Sequence, residues 1–174
     1  MVKSSVIMAR VFITKIQKDF YDAFVQAIHA LGGPRVGRGD RVLIKPNLVE
    51  LAARDSGQIT DPRLVEAAAR YSLDSGASRV MIGEGPSYYQ SESRLRECFT
   101  RTGISAVADR LGIEWVRFDE HRYRTFKGVP RCTPEEFRLT EFAFTCDKFI
   151  NLPPKREDLV GILARQAKDG LREK

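Results

Sequence analysis

Three short apolar runs, each stopped by proline, constrain this chain more than any other feature of it. They are RVLIKPN at 41–47, RVMIGEGP at 79–86 and KFINLPP at 148–154. Continuous apolar runs rich in β-branched residues read as strands covered on both faces, as in a parallel sheet. Proline cannot donate to a sheet ladder and holds the residue before it in extended geometry. Lys45 and Asn47, Glu84 and Gly85, and Asn151 and Lys155 therefore belong at the carboxyl ends of their strands. Between the first two runs, Asp61-Pro62 opens a helix with a carboxylate at the N-cap and proline at the first helical position. Leu64, Val65, Ala68, Ala69 and Leu73 supply its buried face, and Gly76 stops it. Strand, helix, strand at this spacing is a βαβ unit, whose strands run parallel.

The remaining segments extend the pattern. Ser5 to Thr14 reads as a first strand, and Asp19 to Leu31 as a helix, with Phe20, Phe24, Ile28 and Leu31 at helical spacing and Gly32-Gly33-Pro34 as its stop. Ser91 to Thr102 and Ile104 to Leu111 read as helices, Ile113 to Phe118 and Thr125 to Val129 as strands. Phe137, Leu139, Phe142 and Phe144 fit strand or helix equally. The expected fold is α/β, a mainly parallel open sheet with helices on both faces, built from βαβ units. Residues 1–155 form a single domain, followed at 156–174 by a charged amphipathic helix or tail in which Leu159, Leu163 and Leu171 stand among charges.

Composition narrows the function classes. A chain of 174 residues with 43% apolar residues can bury one real core. No segment approaches the roughly 18 uninterrupted apolar residues of a membrane span, and Val6 to Ile13 is interrupted by Arg10, so the expected setting is cytoplasmic and away from the membrane. Cys98, Cys132 and Cys146 lack C-x-x-C spacing, so no iron–sulfur cluster is expected within this chain, and the thiols read as small buried hydrophobes. A net charge of +6 favours acidic partners without naming one.

The chemistry concentrates where the strand ends meet. If the three strands are parallel neighbours, their ends and the helix start at Thr60-Asp61-Pro62 share one edge, the edge where open parallel sheets bind ligands. Lys45 and Lys155 would give charge to an anionic ligand. Asn47 and Asn151 would orient it, Thr60 would bind it at the helix start, and the backbone of Gly83 and Gly85 would let it approach. Lys45, Asp61 and Glu84 are the candidate catalytic groups, the two carboxylates as acid or base or as ligands for a hard cation such as Mg²⁺. The opposing reading is that proline and glycine merely stop strands, Asp61 only caps, and Lys45 pairs with Glu84. For three strand ends sharing one pattern, a site is the better account.

Two other motifs carry less. Gly83-x-Gly85 after a strand resembles a dinucleotide turn but lacks the third glycine and an immediate helix, and Glu84 would repel a pyrophosphate. The basic, aromatic stretch HRYRTFKGVPR at 121–131 is what single-stranded nucleic acid is gripped by, and equally what guards an exposed hairpin edge from aggregation. A basic module for nucleic acid or an acidic protein partner is thus the alternative to a small-ligand site.

Taken in order, VLIKPNLV, TDPRLVEAA, SGASRVMIGEGP, the Gly103-Ile104 pair and DKFINLPPK resemble the prokaryotic family called domain of unknown function 362, over about Asp40 to Lys155. The resemblance implies an α/β domain with iron–sulfur redox associations, a ferredoxin-type partner, and signature positions at Lys45, Asn47, Thr60, Asp61, Glu84 and Lys155. The family's pattern continues past the last strand with a histidine and a Thr-Gly segment that this sequence lacks. A short member, or the amino-terminal part of a longer one, is therefore expected.

Overall fold

A computed structural model describes residues 11–16, 18–33, 35–48, 51–53, 56–85, 92–127, 136–153 and 163–166, with 92, 93 and 163–166 described through their backbone alone. In chain order the elements are α1 (Phe20–Leu31), β1 (Arg41–Pro46), α2 (Pro62–Asp74), β2 (Arg79–Glu84), α3 (Glu92–Arg101), α4 (Ile104–Leu111), β3 (Glu114–Arg117), β4 (Tyr123–Lys127), β5 (Glu136–Thr140), α5 (Phe142–Thr145), β6 (Lys148–Leu152) and β7 (Leu163–Gln166). One turn of 3₁₀ helix, Phe118–Glu120, follows β3.

Local chemistry sets the helix boundaries. Asp19 caps α1 by accepting from the Asp22 N–H at 2.8 Å, and Gly32 ends it at φ 77°, a left-handed conformation that a side chain would resist. Asp61 caps α2 by accepting from the Arg63 N–H at 2.8 Å, with Pro62 in the first position. Both starts are those the sequence predicts.

The main sheet has the order β3-β2-β1-β6-β7. β3, β2, β1 and β6 are parallel, and β7 runs antiparallel along β6. β4 and β5 form a separate antiparallel hairpin. Val42, Leu43 and Ile44 in the central strand have no exposed surface at all. Alternate residues feed different cores. Val42, Ile44, Val80, Ile82, Ile150 and Leu152 join the larger core with α1, α2, α3 and α4, whereas Leu43 and Met81 meet Phe118, Cys146 and Phe142 on the opposite face. The second face is thus covered by α5 and the 3₁₀ turn. α1 is held to α2 by Phe24 on Tyr71, ring centroids 5.6 Å apart, and by the Tyr21 hydroxyl donating to Asp74 at 2.6 Å.

Several expectations change. Of the first predicted strand, residues 5–10 lie outside the described residues, and 11–14 adopt no regular structure. No described strand pairs with them; Val11 and Ile13 are 82% and 67% exposed, and Thr14 instead donates its hydroxyl to Gln26. On α2, Leu73 is turned outward and Ser72 is buried, because the Ser72 hydroxyl donates to the Ala68 carbonyl inside the helix and needs no water. The ambiguous aromatic stretch is both things in turn, strand at β5 and a single helical turn at α5. Strand β4 begins two residues before the predicted Thr125, and 128–129 lie outside the described residues. The predicted terminal helix gives way at 163–166 to strand, whose backbone satisfies the otherwise open edge of β6; the rest of 154–174 lies outside the described residues.

Gly83 shows how tightly the second face is filled. A Cβ built there would sit 2.3 Å from Phe118 Cε1 and 3.0 Å from Leu43 Cδ1. Gly83→Ala should therefore cost about 1–3 kcal/mol through overpacking, measured as a shift in the urea midpoint. Adding Phe118→Leu should recover part of the loss; an undiminished midpoint in the single variant would contradict the packing described.

Candidate functional site

The parallel register delivers the predicted strand ends to one edge. Lys45 on β1 is the direct register partner of Asn151 on β6, and Glu84 on β2 that of Arg117 on β3. Chain direction makes this edge distinctive. From β1 the chain proceeds through β2 to β3 on one side, then returns to β6 on the other, so the order reverses between β1 and β6. Open parallel sheets bind ligands outside the carboxyl ends of the strands at such a reversal. Here Lys45 and Asn151 stand beside it.

Thr60 straddles the same point. Its hydroxyl accepts from the Asn47 N–H at 2.8 Å and donates to the Leu152 carbonyl, while its own N–H donates to the Asn47 carbonyl at 3.1 Å. Pro46 has just ended the β1 ladder, and this clasp takes up the backbone groups that follow it. Thr60 is 2% exposed, so its hydroxyl serves the fold directly.

Glu84 is the buried charge of the site. Its Oε2 accepts from Lys45 Nζ at 2.9 Å and from the Leu48 N–H at 3.3 Å, and its Oε1 from the Gly85 N–H at 2.9 Å. The Lys45 ammonium also donates to the Pro46 carbonyl at 3.2 Å. The two partners are unequally accessible: 29% of the Lys45 side chain is exposed against 8% for Glu84. Burial pushes the Glu84 carboxyl above its usual value; Lys45 and the two backbone N–H groups pull it partly back.

The other predicted residues separate into groups. Asp61 is spent on its own helix, capping α2 and pairing with Arg63 at 2.7 Å; no described contact joins it to Lys45 or Glu84. Gly83 is occupied by Phe118, and Gly85 contributes its N–H to Glu84. Asn151 is half-buried in place beside Lys45. Lys155 lies outside the described residues. Among the described residues, no group of three or more His, Cys, Asp or Glu side chains could hold a metal ion. Glu84 itself is a carboxylate balanced by an amine.

Sequence reasoning missed Arg117. It is 3% exposed, bonded to Asp119 and, at 3.0 Å, to Glu120, which also takes Arg96 from α3 at 3.1 Å. The signal was present as a strand-terminal arginine followed at two and three residues by carboxylates. In the hairpin, Arg124 pairs with Glu141 at 3.6 Å and Lys127 with Glu136 at 3.0 Å. Phe126 stacks on Phe137 and Phe144, and Arg138 covers Tyr123. An open groove elsewhere, lined by Phe12, Lys15, Tyr21 and His29, shares no residue with the strand-end set.

Fold and edge together define an α/β open-sheet protein with a lysine, a carboxylate and an asparagine at the strand ends beside its strand-order reversal. Residues 42–158 match the family described as Domain of unknown function (DUF362), and the chain belongs to that family. It is 31% identical over 121 residues to the thylakoid-associated protein sll1697 of Synechocystis sp., a match covering 70% of this chain and 35% of that relative. The chain thus spans about a third of that curated relative's length. No solved structure matches it. Among the described residues, no helix is long and apolar enough to cross a membrane.

Two outcomes test this geometry. Thr60→Val keeps shape but strands a buried N–H and a buried carbonyl, and should lower stability by about 1–3 kcal/mol, read by denaturant unfolding. For Glu84, the folded protein holds a proton more tightly than the unfolded chain, whose carboxyl titrates near 4.5. Stability is then highest below that value and declines as pH rises through the folded titration. In Glu84→Gln the decline attributable to this group should vanish across a pH series of urea midpoints; an identical profile in both proteins would refute the assignment.

Proposed function

We propose that this domain binds a small anionic ligand in the crevice at the carboxyl ends of β1 and β6, with Lys45 as the charged contact and Asn151 and Asn47 as orienting amides. The observation that carries this reading is the reversal of strand order between those two strands, with a lysine and an asparagine in direct register beside it. Lys45 is anchored by Glu84 yet keeps part of its side chain in solvent, so a ligand meets the cation before the carboxylate. That ordering favours an anion over the divalent cation for which Asp61 and Glu84 were candidates. Asp61 is already neutralised by Arg63, and the nearest cation to Glu84 is Lys45 itself.

Redox metabolism is the setting that the family resemblance supports, with any iron–sulfur cluster carried by a ferredoxin-type partner. Cys98 and Cys146 are buried among apolar side chains, each in a different core. The cytoplasmic location expected from the sequence belongs to the same reading, whereas the name of the relative describes that protein as thylakoid-associated. The hairpin is the weaker candidate for a nucleic-acid interface, since its rings stack on one another and two of its cations already face carboxylates.

Sulfate titrated by calorimetry is the test. Lys45→Met should weaken sulfate binding at least tenfold, about 1.4 kcal/mol, while far-ultraviolet circular dichroism stays native. Equal affinity in the two proteins, or no binding by the parent, would overturn the reading.

A further inference from the structure

We infer that anion binding at this edge is coupled to proton uptake by Glu84, so that ligand and proton enter together. The inference rests on the reading of Lys45 as the anion's contact and goes beyond it. Among the described residues, Lys45 from β1 is the one charged side chain in contact with Glu84; its other partners are the Leu48 and Gly85 N–H groups. On the far side, Arg117 of β3 is the register partner of Glu84, but its guanidinium is engaged by Asp119 and Glu120. On α2, Asp61 is paired with Arg63. The charge balance of Glu84 therefore depends on Lys45.

An anion in the crevice competes for that same ammonium. With Lys45 drawn toward the ligand, a carboxylate only 6% exposed is left facing two neutral N–H donors. An ionised carboxylate in such surroundings is strongly disfavoured, and the group neutralises instead. One proton passes from solvent to a Glu84 oxygen, and nothing is oxidised or reduced. With a monoanion the complex, holding the lysine cation and a neutral carboxyl, keeps the net charge of the free site; with the sulfate dianion it is one unit more negative. Glu84 acts here as a positioning residue that sets how binding depends on pH.

The measurement is sulfate binding near neutral pH, because sulfate carries no proton that titrates there. Calorimetry in HEPES and in Tris, which differ in ionisation enthalpy, should give roughly one proton taken up per sulfate where Glu84 starts ionised. Affinity should fall by up to about tenfold per pH unit over that range. Glu84→Gln should bind sulfate more tightly than the parent, with no buffer dependence, since its amide does not hold the lysine by charge. Sulfate binding by the parent without proton uptake and without pH dependence overturns the coupling and leaves the anion site standing. No binding by either protein overturns both. Should the Gln variant fail to fold, the buffer and pH dependence of the parent alone decide the matter.

Discussion

The parallel pairing of Arg41–Pro46 on both of its edges is the constraint from which the rest of this structure follows. A strand flanked on both sides and covered on both faces can carry no polar side chain along its middle, and Val42, Leu43 and Ile44 are fully buried. Polar side chains are admitted only at its two ends, Arg41 at the start and Lys45 at the finish, just before Pro46 withdraws from the ladder. There the backbone of Asn47 and Leu48 must find new partners, and it finds them on two neighbouring segments, Thr60 at the start of α2 and Glu84 at the end of β2. The clasp that closes the strand is thus the device that ties the ends of β1 and β2 to the start of α2.

The Lys45–Glu84 pair is hard to explain as a stabilising element. Removing two charges from water costs several kcal/mol per ion, and an apolar pair of similar volume often serves a fold as well or better. Arg117 shows how this protein builds a buried cation for structure: among the described residues it meets two carboxylates, with ties to the 3₁₀ turn and, through Glu120, to α3. Among the described residues, Lys45 has a single carboxylate and one carbonyl, and part of its side chain reaches solvent. The difference between an arginine locked on every side and a lysine held on one is a difference in what each can still bind.

Much of the fold was legible because proline, glycine and capping residues mark its boundaries chemically. Asp61-Pro62, Gly32 and Gly112 end or begin helices by local rules that tertiary packing does not override. The convergence of Lys45, Asn47, Thr60 and Glu84 was legible for the same reason, since parallel strands place like ends together. Contacts distant in sequence were not. Gly83 read as room for a ligand because nothing near it in the chain announces Phe118, which arrives from beyond β3 to fill that space. The phase of α2 was misjudged by one position at Ser72 and Leu73, since a hydroxyl that bonds its own helix can be buried as readily as a leucine. The pairing at 163–166 was hidden in a charged tail because backbone pairing leaves little trace in composition.

Charge illustrates how composition and site can point in different directions. The net +6 suggests a diffuse attraction for acids, yet Arg41, Arg63, Arg79, Arg96, Arg101, Arg110, Arg124 and Lys127 are each matched to a carboxylate in the structure. Pairs of this kind at the surface contribute little to stability and are screened by salt. They also blunt the local field, and on the hairpin two of the cations, Arg124 and Lys127, are offset in this way. At the ends of β1 and β2, by contrast, Lys45 and Glu84 nearly cancel as charges and differ in access, the lysine side chain being the more exposed. In the anion site we propose, an ammonium reachable from water, fixed at the end of a strand and backed by a carboxylate able to accept a proton, would discriminate by the sign of the guest's charge without a strongly charged surface.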